Sequence, residues 1–171
     1  MTERLIAPAR WTRVDPPRFL ADEMVGRLAR YLRFVGCDTV YVKGLDDDEI
    51  AELARTERRI LVTRDQALAD RVPSSILLRS PSLADQWNAL RAAVPELPSE
   101  VRFDRCTHCN GSLRPHRPAP EDPRPDGVPW DRVKEGLVLY RCSDCGHLYW
   151  EGTHTEHIRT QIRAWGGAPV P

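Results

Sequence analysis

The chain has 171 residues, 25 basic and 25 acidic, with 41% hydrophobic and 29% charged content. That balance excludes a disordered polymer and leaves room for one domain plus a small appendage, not two ordinary domains. No apolar run approaches the ~20 residues a membrane helix needs, and a globally basic nucleic-acid binder is excluded because residues 1–100 carry 15 basic and 16 acidic side chains and residues 101–171 carry 10 and 9.

Residues 1–17 read as a lead-in closed by Pro16 and Pro17. It lacks a signal-peptide apolar core, so the expected compartment is the cytoplasm. Residues 18–21 are predicted as a strand ending at Asp22. Residues 23–35 follow as a helix, with Met24, Leu28, Leu32 and Val35 on one stripe and Gly36 at its end. Residues 38–42 read as a strand, 46–57 as a helix with an acidic first turn, and 60–63 as a buried strand. A short helix over 66–71, a strand over 75–79 and a helix over 82–93 complete the unit. Strands alternating with helices predict an α/β fold, a parallel sheet with helices on both faces. Pro95 and Pro98 interrupt the pattern, which puts the boundary of an 18–100 domain near residue 100.

Residues 101–171 carry two C-x2-C pairs, Cys106/Cys109 and Cys142/Cys145, separated by 32 residues. In a cytosolic chain this spacing reads as a structural zinc ribbon, with a redox dithiol pair or disulfides as alternatives. Gly111 and Gly146 follow the two knuckles, and His108 and His147 neighbour the ligands. Between the knuckles, residues 114–131 hold six prolines and read as a loop without a core. Residues 137–141 and 147–150 read as strands, 155–165 as a closing helix, His154 and His157 as surface residues, and Cys37 as a small buried hydrophobe.

Asp22, Asp47 and Asp65 each follow a predicted strand. In a parallel sheet those points share the carboxyl edge, where such sheets bind ligands. Packed carboxylates repel, and a hard cation such as Mg²⁺ or Mn²⁺ relieves the repulsion, which points to phosphodiester hydrolysis. Simple helix capping remains the competing reading for Asp47 and Asp48. Arg27, Arg30, Arg33 and Arg64 lie beside this edge as candidate contacts for an RNA backbone, against the alternative of a plain solvated face. No aromatic residue for base stacking is evident there.

Three segments carry a family resemblance: Phe19–Asp22 with Gly26–Arg33 and Gly36–Asp38, then Asp47–Ala54, then Leu61–Asp65. Together with Tyr149–His154 after the last cysteine, they resemble the PIN-like Mut-seven C-terminal ribonuclease family over about residues 18–157. The resemblance implies a PIN-like fold with a C-terminal zinc ribbon. It implies a metal-dependent ribonuclease using water as nucleophile, with Asp22, Asp47 and Asp65 as acidic ligands. The PIN superfamily usually supplies a fourth acidic residue, for which Asp48, Asp70 and Asp85 are the candidates. The alternative function is a non-catalytic RNA- or ribosome-binding zinc-ribbon protein, or a PIN-type toxin component.

Overall fold

A computed structural model describes residues 16–166; most of the expected lead-in, residues 1–15, lies outside the described residues. The first unit runs β1 (Phe19–Ala21), α1 (Gly26–Phe34), β2 (Thr39–Tyr41), α2 (Asp47–Thr56), β3 (Ile60–Thr63), α3 (Gln66–Arg71), β4 (Ser75–Leu77) and α4 (Leu83–Ala93). All neighbouring strands are parallel, in the order β2-β1-β3-β4. Side chains alternate across the sheet as strand geometry demands. Phe19, Ala21, Ile60 and Val62 face a core completed by Leu28, Leu32, Trp87 and Leu90, whereas Leu20 and Leu61 face Ile50, Ala54 and Leu68. Helices α1 and α4 therefore cover one face and α2 and α3 the other.

The helix expected over 23–35 is split. Asp22 accepts a hydrogen bond from the Met24 N–H, and residues Glu23–Val25 form a 3-10 turn before α1 begins. A tighter turn rotates Met24 off the stripe that Leu28 and Leu32 follow, and its side chain is 47% exposed. Gly36 ends the helix at φ +86°, where a Cβ would also lie 2.9 Å from the Asp104 carboxylate.

The second unit is a three-stranded antiparallel sheet of β5 (Leu113–His116), β6 (Leu139–Cys142) and β7 (Leu148–Trp150), with α5 (Trp130–Lys134) between β5 and β6. Strand β5 and helix α5 overlap the segment expected to be all loop. The closing helix α6 (Thr153–Trp165) returns to the first unit. Its Ile158 and Ile162 join the core of Leu28 and Trp87, the Trp165 ring sits 5.0 Å from Tyr31, and Tyr31 Oη donates to Gln161. The ribbon is thus stapled to the α/β unit by the segments on both sides of it.

Asp38, just before β2, makes the second staple. Its carboxylate accepts from Arg59 at 2.8 Å, from Arg18 at 3.2 Å and from Asn110 of the first knuckle at 2.7 Å. Asn110 Oδ1 in turn accepts the Thr39 N–H at 2.9 Å. Burial raises the Asp38 carboxyl, but hydrogen bonds from Arg59 and Asn110 and the charges of Arg59 and Arg105 outweigh it and hold the group at about 2 against an ordinary 3.8. A depressed carboxyl stabilises the fold above its unfolded value, and the contribution disappears as pH falls from near 4 to near 2. We expect Asp38→Asn to cost about 2 kcal/mol at neutral pH. Urea titrations should show that difference at pH 7 and show it vanishing near pH 2.

Candidate active site and metal centre

Strands β1 and β3 are neighbours in the sheet, yet the chain leaves them in opposite lateral directions, toward β2 and toward β4. This is the topological switch point of an open parallel sheet, where a crevice opens beyond the carboxyl ends. Asp22 follows β1 and Asp65 lies just beyond the end of β3, so both stand at this crevice. Asp22 is 4% exposed. Its Oδ1 accepts from the Met24 N–H at 3.0 Å and its Oδ2 accepts from the Thr63 hydroxyl. The Thr63 Oγ1 accepts the Asp65 N–H at 2.9 Å, and Asp65 Oδ1 caps α3 by accepting the Leu68 N–H at 3.1 Å. One hydroxyl therefore links the two carboxylate-bearing segments.

The electrostatics follow from that placement. Burial raises the Asp22 carboxyl above its ordinary value; the hydrogen bonds from Thr63 and Met24 oppose the rise without cancelling it, and the charges of Asp65 and Glu23 add to it. A buried carboxylate beside a second carboxylate is a donor set that suits a small divalent cation, because Mg²⁺ is commonly held by one or two carboxylates together with substrate phosphate.

Asp47 and Asp48 do not join this pair. Asp46 is the N-cap of α2 and forms a capping box with Glu49, while Asp47 and Asp48 lie in the first turn, where carboxylates offset the positive end of the helix dipole. Both meet Arg71 at the end of α3, Asp47 at 3.4 Å. Asp70 accepts from Gln66 and Asp85 from Ser80. Among the described residues, the group of three or more metal-binding side chains whose ligand atoms lie within 4.8 Å of one another is the set of four cysteines.

The four arginines separate. Arg27 and Arg30 are exposed on α1. Arg64 is half-buried beside Asp65, with its Nε buried and unpartnered among the described residues. Arg33, expected as a backbone contact, is 6% exposed. Its guanidinium donates through Nε to the Thr39 carbonyl and through Nη1 to the carbonyls of Thr107 and His108, so it ties α1 and β2 to the first knuckle and is buried away from an approaching phosphate. Sequence reasoning missed an aromatic: Tyr41 ends β2 at the carboxyl edge, is 39% exposed, and lays its ring over Gly26, where a Cβ would approach it to 3.0 Å. Met24 and Leu45, also exposed, lie on the two loops at the same edge. Period-2 alternation would have marked Tyr41 as a strand residue, but not that its strand stops there.

In the second unit Cys106 and Cys145 have their Sγ atoms 3.7 Å apart, and Cys109 and Cys142 theirs 3.4 Å apart. A tetrahedral zinc with Zn–S bonds of about 2.3 Å requires sulfur separations of about 3.8 Å, so the donor set fits Zn²⁺. The Cys109 N–H points at Cys106 Sγ at 3.4 Å, and the Tyr149 hydroxyl lies 3.1 Å from the same sulfur. Gly111 is required by packing, since a Cβ there would come within 2.8 Å of Cys142 Sγ and 2.5 Å of the Asp144 carboxylate. Four thiolates would close the coordination shell of such an ion, the donor set of a structural rather than a catalytic centre.

No described helix is long and apolar enough to cross a membrane. A family model described as the Mut7-C RNAse domain matches residues 17–162. No curated protein and no solved structure matches the chain.

Proposed function

The chain belongs to the Mut7-C ribonuclease family, whose substrate class is RNA, and on that premise we propose that it is a Mg²⁺- or Mn²⁺-dependent ribonuclease working at the Asp22–Asp65 crevice. The observation that carries this reading is Asp22: a buried carboxylate with a raised pKa, beside a second carboxylate, at the switch point of a parallel sheet. Such an arrangement is costly unless a cation uses it. Asp22 and Asp65 would hold the ion. When bound, it would supply charge for the phosphate oxygens and lower the pKa of water.

The chain's own residues do the remaining work. Thr63 and the Met24 N–H fix the Asp22 carboxylate in one orientation. Arg64 and Arg27 bring positive charge to the phosphate backbone. Tyr41 offers a ring face to a base next to the scissile bond, which suits a single strand whose bases are free. Asp47 and Asp48 contribute negative charge at the rim. Their pairs with Arg71 join side chains that are 43% to 83% exposed, so these contacts are weak and do not bar Asp47 from the site. The cytoplasm keeps the four thiols reduced and available to zinc.

The competing reading, an RNA-binding protein without catalysis, draws on the hold of Arg71 on Asp47 and Asp48. Cleavage of a 5′-labelled single-stranded RNA by the zinc-loaded protein, with Mn²⁺ added or omitted, separates the two. Chelators are avoided because they would strip the ribbon. We expect Mn²⁺-dependent cleavage that falls about 10²- to 10³-fold in Asp65→Asn and only about tenfold in Asp47→Asn, since the first loses a direct charge contact and the second a rim charge. Cleavage that is independent of Mn²⁺, or that survives Asp65→Asn, overturns the proposal.

A further inference from the structure

A cleft of about 350 Å³ lies between the C-terminal half of α1, residues 101–107, β7 and the start of α6. It does not open at the carboxyl edge. Helix α1 starts beside Asp22 and runs back against the strands, so its end at Phe34 lies with Asp38 and Thr39, at the amino ends of the strands. Phe34 lines the cleft there, and the ribbon docks at that edge through Arg33, Thr39 and Asn110.

The lining has two properties. It is aromatic, with Phe34, Phe103, Tyr149 and Trp150 in its walls and His147 and His154 at its mouth. It is also one-signed: Arg30, Arg102 and Arg105 line it and no acidic residue does. Arg102 and Arg105 are engaged with Asp104 at 2.7 Å and Asp38 at 3.8 Å, but Arg30 has no ion-pair partner among the described residues. Rings on which a base can stack, beside a guanidinium without an ion-pair partner that can meet its phosphate, are the chemistry of a nucleotide within a single strand. A duplex keeps its bases stacked inside and offers nothing to such a cleft.

We propose that this cleft is a second RNA site, an anchor that holds a nucleotide of the single-stranded substrate away from the cleavage crevice. The proposal rests on the ribonuclease reading and gives its substrate a form. Arg27 and Arg30 lie one turn apart on the exposed face of α1, a basic rail leading from the Asp22 end of the helix to the cleft. One strand can then occupy both places, which makes the preferred substrate several nucleotides long and unpaired. Arg30, placed at the carboxyl edge by sequence, serves the anchor instead.

The test is the binding of a fluorescein-labelled 12-nucleotide oligouridylate to full-length zinc-loaded protein without added Mg²⁺ or Mn²⁺, followed by anisotropy. The double substitution Arg30→Glu/His154→Ala, at two exposed positions, is expected to raise Kd by about tenfold or more, the scale of losing a stacked, phosphate-paired nucleotide. Its thermal unfolding should match wild type. It should also lower the slope of log K against log salt by about 1, one phosphate contact. Amide shifts in wild type on adding the oligonucleotide should appear at residues 101–107 and 147–155. A variant that binds as wild type does, or shifts confined to the Asp22–Asp65 edge, overturns the anchor even if the protein cleaves RNA. Binding through the cleft by a protein that never cleaves leaves the anchor standing and removes the nuclease reading, so the two failures are distinct.

Discussion

Asp22→Asn is expected to cut cleavage steeply and, without divalent cation, to make the protein more stable. The two effects share one cause. The carboxylate is buried just past the end of β1, and its charged form is disfavoured by burial and by Asp65 and Glu23. A carboxyl whose folded pKa is raised above its unfolded value of 3.8 lowers stability at every pH above the folded pKa, and the penalty disappears as pH falls below 3.8. An amide of the same shape removes that penalty and keeps acceptance from the Met24 N–H or the Thr63 hydroxyl. Melting temperature at pH 7 should therefore rise on substitution, and the difference should shrink in acid. Added Mn²⁺ should raise the melting temperature of wild type and leave that of Asp22→Asn nearly unchanged, because binding to the native state alone stabilises it. The activity loss should reach about 10²- to 10³-fold, as for removal of one preorganised electrostatic contact. A variant that is less stable than wild type and equally active would place Asp22 among structural residues. Stability gained by removing a charge from a working site is the usual signature of function held against the fold.

Removal of zinc is expected to have the second large effect. Apparent zinc-binding energies of structural sites are about 10–16 kcal/mol, more than a whole small domain's stability. The core between the knuckles consists of Cys106, Leu113 and Cys142 with Phe103, Tyr140 and Tyr149 packed on it, too little to fold alone. Cys142→Ser, or extraction of the metal, should therefore unfold β5 to β7. The damage should spread. Arg33 would lose the carbonyls of Thr107 and His108 and be left as a buried cation with fewer partners, and Asp38 would lose Asn110. Helix α6 would be tethered through an unfolded segment, so Ile158, Ile162 and Trp165 would hold the α1–α4 face less firmly. Metal analysis should give one zinc per chain, and circular dichroism of the stripped protein should show loss of strand and of cooperative melting. Retention of a full native melt without zinc would contradict the structural role.

Much of the scaffold is legible in the sequence because its signals are local. Leu20 against Phe19 and Ala21, and Leu61 against Ile60 and Val62, alternate between two cores as a parallel strand covered on both faces requires. The cysteine spacing and the Gly after each knuckle announce the ribbon. What sequence hides depends on partners distant along the chain. Arg33 reads like Arg27 and Arg30 until the first knuckle is laid across it. Asp38 reads as the first residue of a strand, with nothing to show that its carboxylate joins the segments leading into β1 and β3 to the ribbon. Strand β5, Leu113–His116, contains Pro115 between Arg114 and His116 and is a strand only because β6 pairs with it. At the site, Asp22 and Asp65 were reachable through the strand-end rule. The tie of Asp47 to Arg71, and the arrival of Tyr41 over Gly26, depend on where α2, α3 and β2 come to rest.

On the proposed reading Asp22 and Asp65, 43 residues apart by number, share one divalent cation beyond β1 and β3. Calorimetric titration of Mn²⁺ into zinc-loaded wild type, Asp22→Asn and Asp65→Asn measures this directly. The expected result is one Mn²⁺ per wild-type chain, with affinity weakened about tenfold or more in each variant, the scale of disturbing a metal's ligand environment. Equal Mn²⁺ binding by all three proteins would contradict it.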